Sequence, residues 1–118
     1  MNKFKDLSVY QKALELTKSI RSKTASFPKT EMFGLTAQFR RAGDSIVLNI
    51  AEGAGDTSPR EFARFLVIAI RSGFECLACC DIAVTNEYMR REDHSMLSDR
   101  INEIIAMLNG LRKSVLKR

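Results

Sequence analysis

Apolar side chains recur along this chain at the three-and-four spacing of helices, and the strict alternation of a strand is absent. The first periodic stretch runs from about Ser8 to Ser26. Tyr10, Ala13, Leu14, Thr17 and Ile20 are its expected inner face, and Phe27-Pro28 ends it because a residue before proline leaves the helical region. A second helix is expected to open at Thr30 or Glu31 and continue to Glu52. Its core face is Leu35, Phe39, Ala42, Ile46 and Ile50, with Gly53 and Gly55 supplying the permissive backbone of a C-terminal cap and turn. The third start is the clearest signal. Ser58 caps, Pro59 takes the first helical position without losing a needed donor, and Glu61 completes a capping box. That helix extends to about Asn86, roughly 29 residues and on the order of 40 Å. A fourth begins near Asp93 and is expected to bury Leu97, Ile101, Ile104, Ile105, Leu108 and Leu111. Four amphipathic helices with short joins predict one all-α domain over residues 1–118, an antiparallel up-down-up-down four-helix bundle.

Polar positions in the second helix are patterned too. Gln38, Arg41, Ser45, Asn49 and Glu52 fall within about 80° of arc beside its core face. Polar groups next to a core need partners, so this seam reads as a hydrogen-bonded network that fixes helix register or subunit contacts rather than as a ligand site. Glu75 is the expected partner of Arg41 across the groove, Ser72 and Gly73 allow close approach of the backbones, and Glu52 has the alternative of reaching a neighbouring subunit. The second and third helices are also apolar on more than one side. Val47, Leu48, Val67 and Ile68 are expected to point away from a monomeric core, and burying one such side chain is worth roughly 1.5–3 kcal/mol. A homo-oligomer built through these two helices is therefore expected. Arg60, Arg64 and Arg71 line the outward side of the third helix among Val67 and Ala78, placed to meet acidic groups of a neighbour, a polyanion or solvent.

Charge changes the picture more than composition does. At 118 residues and 45% hydrophobic, the chain has its own core but sits at the small end, where association often adds stability. The net charge is +5 and the pI about 9.4. Residues 1–30 carry +5, 31–57 carry −2, 58–87 carry −1 and 88–118 carry +3. An up-down bundle brings the first and last of these segments to one end with the second join. Lys3, Lys5, Arg60, Arg64, Arg112, Lys113, Lys117 and Arg118 then form a cationic pole, partly offset by Asp6, Asp56 and Glu61. Together with Arg71, its side chains are the candidates for contact with RNA or DNA phosphates; the plainer alternative is a solvated rim.

No catalytic or metal site stands out, and no cofactor is expected. Cys76, Cys79 and Cys80 have C-x-x-C spacing, but one histidine, His94, and no second cysteine pair make a closed zinc site a poor reading beside buried thiols. His94 lacks a paired nucleophile motif, and Gly53-Ala54-Gly55 lacks the lysine and preceding strand of a phosphate-binding loop. Cysteine usage, with no signal-peptide pattern and no membrane-length apolar run, places the chain in the cytoplasm without a membrane partner.

Three segments carry a family resemblance: DLSVYQKALEL, FPKTEMFGLTAQFRRAGDSIVLNIAEGAG and SPREFARFLVIAIRSGFE. Between residues 6 and about 87 the chain resembles the bacterial four-helix bundle proteins also called 23S rRNA intervening sequence proteins. The motif elements fall in order on Gly34, Leu35 and Gln38, on Arg40 and Arg41, on Ser45 and Ile46, and on Asn49, Ile50, Ala51, Glu52 and Gly53. Tyr10 stands where the family usually has tryptophan, and Arg21 where a further aromatic is common; neither change threatens the fold. The resemblance implies an antiparallel bundle, association into pentameric rings, and no established catalytic activity. Some members are encoded within insertions in ribosomal RNA genes, and the group is similar to the accessory variability protein of diversity-generating retroelements, a basic pentamer that binds nucleic acid and a reverse transcriptase. Two functions follow as expectations. One is a non-enzymatic oligomeric module that binds RNA or DNA through basic surface; the other is a protein-interaction scaffold without nucleic-acid binding.

Overall fold

A computed structural model describes residues 3–55 and 58–118. Four helices, α1 (Ser8–Thr24), α2 (Leu35–Ala54), α3 (Pro59–Thr85) and α4 (Arg91–Leu116), account for most of the chain, with 3-10 turns at Lys3–Asp6 and Lys29–Glu31. No strand occurs among the described residues. α1 packs on α2 and α4, and α3 on α2 and α4, as in an antiparallel four-helix bundle. The molecule measures 46 × 23 × 20 Å, its long dimension set by α3 and α4.

The core faces of α2 and α4 follow their periodicity. Leu35, Phe39, Ala42, Ile46 and Ile50 are buried, as are Leu97, Ile101, Ile104, Ile105 and Leu108. Leu111 is only half-buried, and Val115 closes the core in its place. On α1 the buried set is Val9, Ala13, Leu16, Ile20 and Thr24, a face rotated by about 60° from the expected one. Ala13 and Ile20 belong to both faces, so hydropathy alone did not separate them. Tyr10 and Thr17 are half-buried, and Leu14 is exposed. The Tyr10 ring instead meets Phe4 edge-on, with centroids 5.1 Å apart. Thr24 is tolerated in the core because its hydroxyl donates to the Ile20 carbonyl at 2.7 Å and accepts from Arg40 Nε at 2.9 Å.

Helix boundaries differ where caps come from distant side chains. α2 opens at Leu35, not at Thr30 or Glu31, because Gly34 precedes it and the Glu31 carboxylate accepts from Leu35 N–H at 3.1 Å. The other Glu31 oxygen accepts from the Tyr88 hydroxyl at 3.0 Å, tying the α1–α2 join to the α3–α4 join. Gly53 lies inside α2, and Gly55 caps it with an ordinary helical φ of −76°. The role of Gly53 is close approach. A Cβ there would stand 2.6 Å from Phe65 Cβ and 3.0 Å from Phe62 Cδ1. At the next join, Ser58 Oγ accepts from Glu61 N–H at 3.3 Å with Pro59 in the first turn. α3 ends in a Schellman arrangement in which Tyr88 N–H donates to the Ala83 carbonyl, Glu87 N–H donates to the Val84 carbonyl, and Glu87 itself has φ 63°. α4 starts at Arg91, two residues before the expected Asp93, whose carboxylate meets Lys23 at 3.0 Å.

Candidate nucleic-acid interface

The antiparallel order places the N-terminal turn, the α2–α3 join and the end of α4 at one pole. Arg60, Arg64 and Arg112 line a cleft there of about 270 Å³, together with Glu61, Ala63, Val67 and Leu116. Arg64 is committed. Its Nε and Nη2 donate to the Glu61 carboxylate at 2.9–3.1 Å, and its guanidinium lies 4.7 Å above the Phe65 ring centroid. The hydrogen bond from Arg64 holds the Glu61 carboxyl below the usual carboxylate range, and the same bond raises Arg64 above an ordinary guanidinium. Arg60 is exposed, whereas Arg112 is half-buried with its Nε fully buried and without an acceptor among the described residues. Lys3, Lys5, Lys113, Lys117 and Arg118 are exposed at the same end, and none makes an ion pair with a described residue. Asp6 is exposed there too, and Asp56 lies outside the described residues. Arg71 stands apart, exposed about 16 Å along α3 from Arg60.

The polar seam divides. Ser45 and Ser72 hydroxyls meet across α2 and α3 at 2.8 Å, and Asn49 Nδ2 donates to the Ser45 carbonyl and hydroxyl at 2.8 and 3.0 Å. Gln38 Nε2 donates to Glu75 at 2.5 Å. The expected Arg41–Glu75 pair is therefore not formed, since Gln38 lies nearer the α2–α3 contact while Arg41 turns outward. Arg41 and Glu52 are exposed and make no hydrogen bond within the described chain. They flank Leu48 in a shallow hollow on the outer side of α2 that also includes Ala37, Asp44 and Asn49.

The four apolar positions expected to face outward are not equivalent. Leu48 is 64% exposed, while Val47, Val67 and Ile68 are half-buried and Val47 packs against the core. Other exposed apolar groups were missed. Phe74 and Ile82, 56% and 48% exposed, share one side of α3 with Ala78 at four-residue spacing, a signal present in the chain but masked by the richer run before it. Phe33, 93% exposed, projects from the α1–α2 join at the opposite pole.

The thiols are buried and free. Burial pushes Cys76 far above an ordinary thiol, Cys79 up to about 11 and Cys80 up to about 12, so none is a thiolate nucleophile at neutral pH. No group of three or more His, Cys, Asp or Glu capable of holding a metal gathers among the described residues. His94 Nε2 pairs with Asp81 at 2.8 Å, at the end away from the cationic pole. No described helix is long and apolar enough to cross a membrane.

The family model for the 23S rRNA-intervening sequence protein matches residues 5–110, nearly the whole bundle. This chain belongs to that family. Among solved structures, this member of the 23S rRNA-intervening sequence family is similar to a protein of unknown function from the S23 ribosomal protein family of Bacteroides thetaiotaomicron VPI-5482. The two are 26% identical with a TM-score of 0.80, over 89% of this chain and 98% of that one. No curated protein matches. Within this family member, the motif positions acquire physical roles: Gly34 lets Glu31 cap α2, Gly53 lets α2 and α3 touch, and Ser45, held by Asn49 on its own helix, meets the Ser72 hydroxyl of α3.

Proposed function

We propose that this protein is a non-enzymatic, self-associating helical module, pentameric as the family resemblance implies, that binds RNA or DNA through its basic pole. The observation that carries the reading is the cleft that Arg60, Arg64 and Arg112 line together with a single carboxylate, Glu61. Around it stand exposed lysines without ion pairs among the described residues, the arrangement that favours phosphate contact and counterion release. The family's name, which refers to ribosomal RNA, supports RNA as the first nucleic acid to test. Self-association is supported by two separate apolar patches, Leu48 on α2 and Phe74-Ala78-Ile82 on α3, because a head-to-tail ring buries two different surfaces against each other. Arg41 and Glu52, which stand beside Leu48 and make no hydrogen bond within the described residues, supply charges of both signs for such a contact.

Two measurements test this. Fluorescence anisotropy with a structured RNA is expected to show affinity falling steeply as salt rises from about 50 to 200 mM. Binding is expected to weaken when Arg60, Arg64 and Arg112 are changed to Glu; no binding at the lowest salt refutes the reading. Light scattering at micromolar concentration gives the molar mass, and a value of one chain refutes self-association. The scaffold reading is favoured by Phe33, which stands in solvent on a turn that Glu31 fixes. A single protein retained in pull-downs after nuclease treatment, and lost on Phe33→Ser, would select it.

A further inference from the structure

We infer that the cleft between the start of α3 and the end of α4 is a phosphoryl-oxyanion site anchored by Arg112, with Arg60 as its second donor. For a nucleic-acid phosphate, the inference rests on the reading above and narrows it to one subsite; for free phosphate it does not. The first ground is Arg112. Its Nε–H is buried without an acceptor among the described residues, in a protein whose other buried side-chain nitrogens and oxygens are satisfied among those residues. Buried donors rarely go unpaired, and one physical reason is that the guanidinium turns toward the cleft when an ion draws it there. The second ground is the charge around it. Three guanidinium groups line the cleft against one carboxylate, and that carboxylate is occupied by Arg64. Arg60 and Arg112, neither hydrogen-bonded to that carboxylate, thus line from two different helices a common space of about 270 Å³.

The lining points to phosphate rather than to a carboxylate. A carboxylate is planar and is satisfied edge-on by one guanidinium fork, whereas a tetrahedral phosphoryl group offers oxygens in several directions and suits donors arriving from separate helices. Ala63, Val67 and Leu116 form the apolar part of the wall, which displaces water and strengthens attraction between the ion and the arginines. Arg64 contributes without moving. Held by Glu61 and lying over Phe65, it is a fixed positive charge at the rim.

The test uses the whole chain with inorganic phosphate as the first probe, at constant ionic strength, against chloride and acetate. Phosphate is expected to raise the melting temperature saturably and to shift the Arg112 Nε NMR signal, with acetate much weaker. Both effects should vanish in Arg112→Met and shrink in Arg60→Gln, and remain in Lys29→Gln at the far pole. In RNA titrations, each of the two cleft variants should reduce the slope of log affinity against log salt by about one. Absence of the phosphate effect together with an unchanged RNA slope overturns the site while leaving RNA binding elsewhere on the pole intact. A phosphate effect lost in Arg112→Met, with no RNA binding by the natural chain, keeps the site for a free phosphate and overturns the nucleic-acid reading. Equal effects of acetate and phosphate overturn the phosphoryl assignment. Should Arg112→Met fail to fold, the exposed Arg60→Gln decides by the same readouts.

Discussion

Two glycine-to-alanine substitutions should change stability in opposite directions. In a helix interior, alanine is favoured over glycine by about 0.8–1.0 kcal/mol. At Gly110, on the exposed side of α4, a Cβ meets nothing within 4 Å, so Gly110→Ala should realise that gain in full. At Gly53 the new Cβ would lie 2.6 Å from Phe65 Cβ and 3.3 Å from the Phe62 carbonyl oxygen. Neither atom is the free end of a side chain, so relief requires α2 and α3 to separate. Overpacking of this kind costs about 1–3 kcal/mol, toward the upper end where backbone must shift. Gly53→Ala should therefore be about 1–2 kcal/mol less stable than the natural chain after the propensity gain is included. Thermal and urea unfolding followed by circular dichroism, at one fixed protein concentration, would read a melting point about 3–10 °C lower for Gly53→Ala and about 3–5 °C higher for Gly110→Ala. A Gly53→Ala protein as stable as the natural one would refute the claim that the α2–α3 contact depends on a missing Cβ.

Glu87 holds a left-handed φ of 63° at the end of α3, so Glu87→Gly should stabilise by about 0.5–1 kcal/mol in the same unfolding assays, and Glu87→Val should destabilise. The Arg21 guanidinium, hydrogen-bonded to Asp44 at 2.8 and 2.9 Å, lowers the Asp44 carboxyl below the usual carboxylate range. This contribution is present above about pH 4 and lost as pH falls through the lowered value; the pair is largely exposed, so Asp44→Asn should cost under about 1 kcal/mol at pH 7, a difference that disappears in urea melts on acidification. Ellman's reagent at pH 8 should modify none of Cys76, Cys79 and Cys80 in the folded protein and all three in guanidinium; rapid labelling of the folded chain would contradict their burial.

How legible each feature was depended on the distance over which it is decided. Ser58-Pro59-Arg60-Glu61 specifies a helix start locally, and Ser58 caps α3 as its type and spacing imply. Leu35, Phe39, Ala42, Ile46 and Ile50 keep the three-and-four spacing of one helical face, and that face is buried. The inner face of α1 is ambiguous because Ala13 and Ile20 serve two faces, and because Thr24 in the core bonds Arg40 of α2 as well as its own helix. The start of α2 depends on Glu31, which reaches forward to cap Leu35 and accepts from Tyr88, 57 residues on. In the candidate site, charge distribution and bundle topology suffice to bring Arg60, Arg64 and Arg112 to one pole. That Arg64 is already paired and Arg112 Nε is not depends on side-chain packing, which no spacing rule encodes.

The surfaces proposed for assembly and for nucleic-acid contact occupy different parts of this molecule, and that separation makes a further outcome measurable. The exposed apolar patches lie along the sides of α2 and α3, whereas the basic cleft lies at an end. In a ring closed through the long sides, cyclic symmetry sets every basic pole on the same side of the disc, so one RNA can meet several clefts at once. Leu48→Asp and Phe74→Asp change side chains already in solvent, so each should leave the monomer folded while removing the ring. Their RNA affinity should then fall by on the order of 10²-fold or more, with a shallower salt dependence, although no cationic residue has been touched. Light scattering and anisotropy on the same samples would separate the terms. Single-chain variants that bind as tightly as the natural protein would mean that each pole acts alone, and that whatever self-association exists serves some end other than holding nucleic acid.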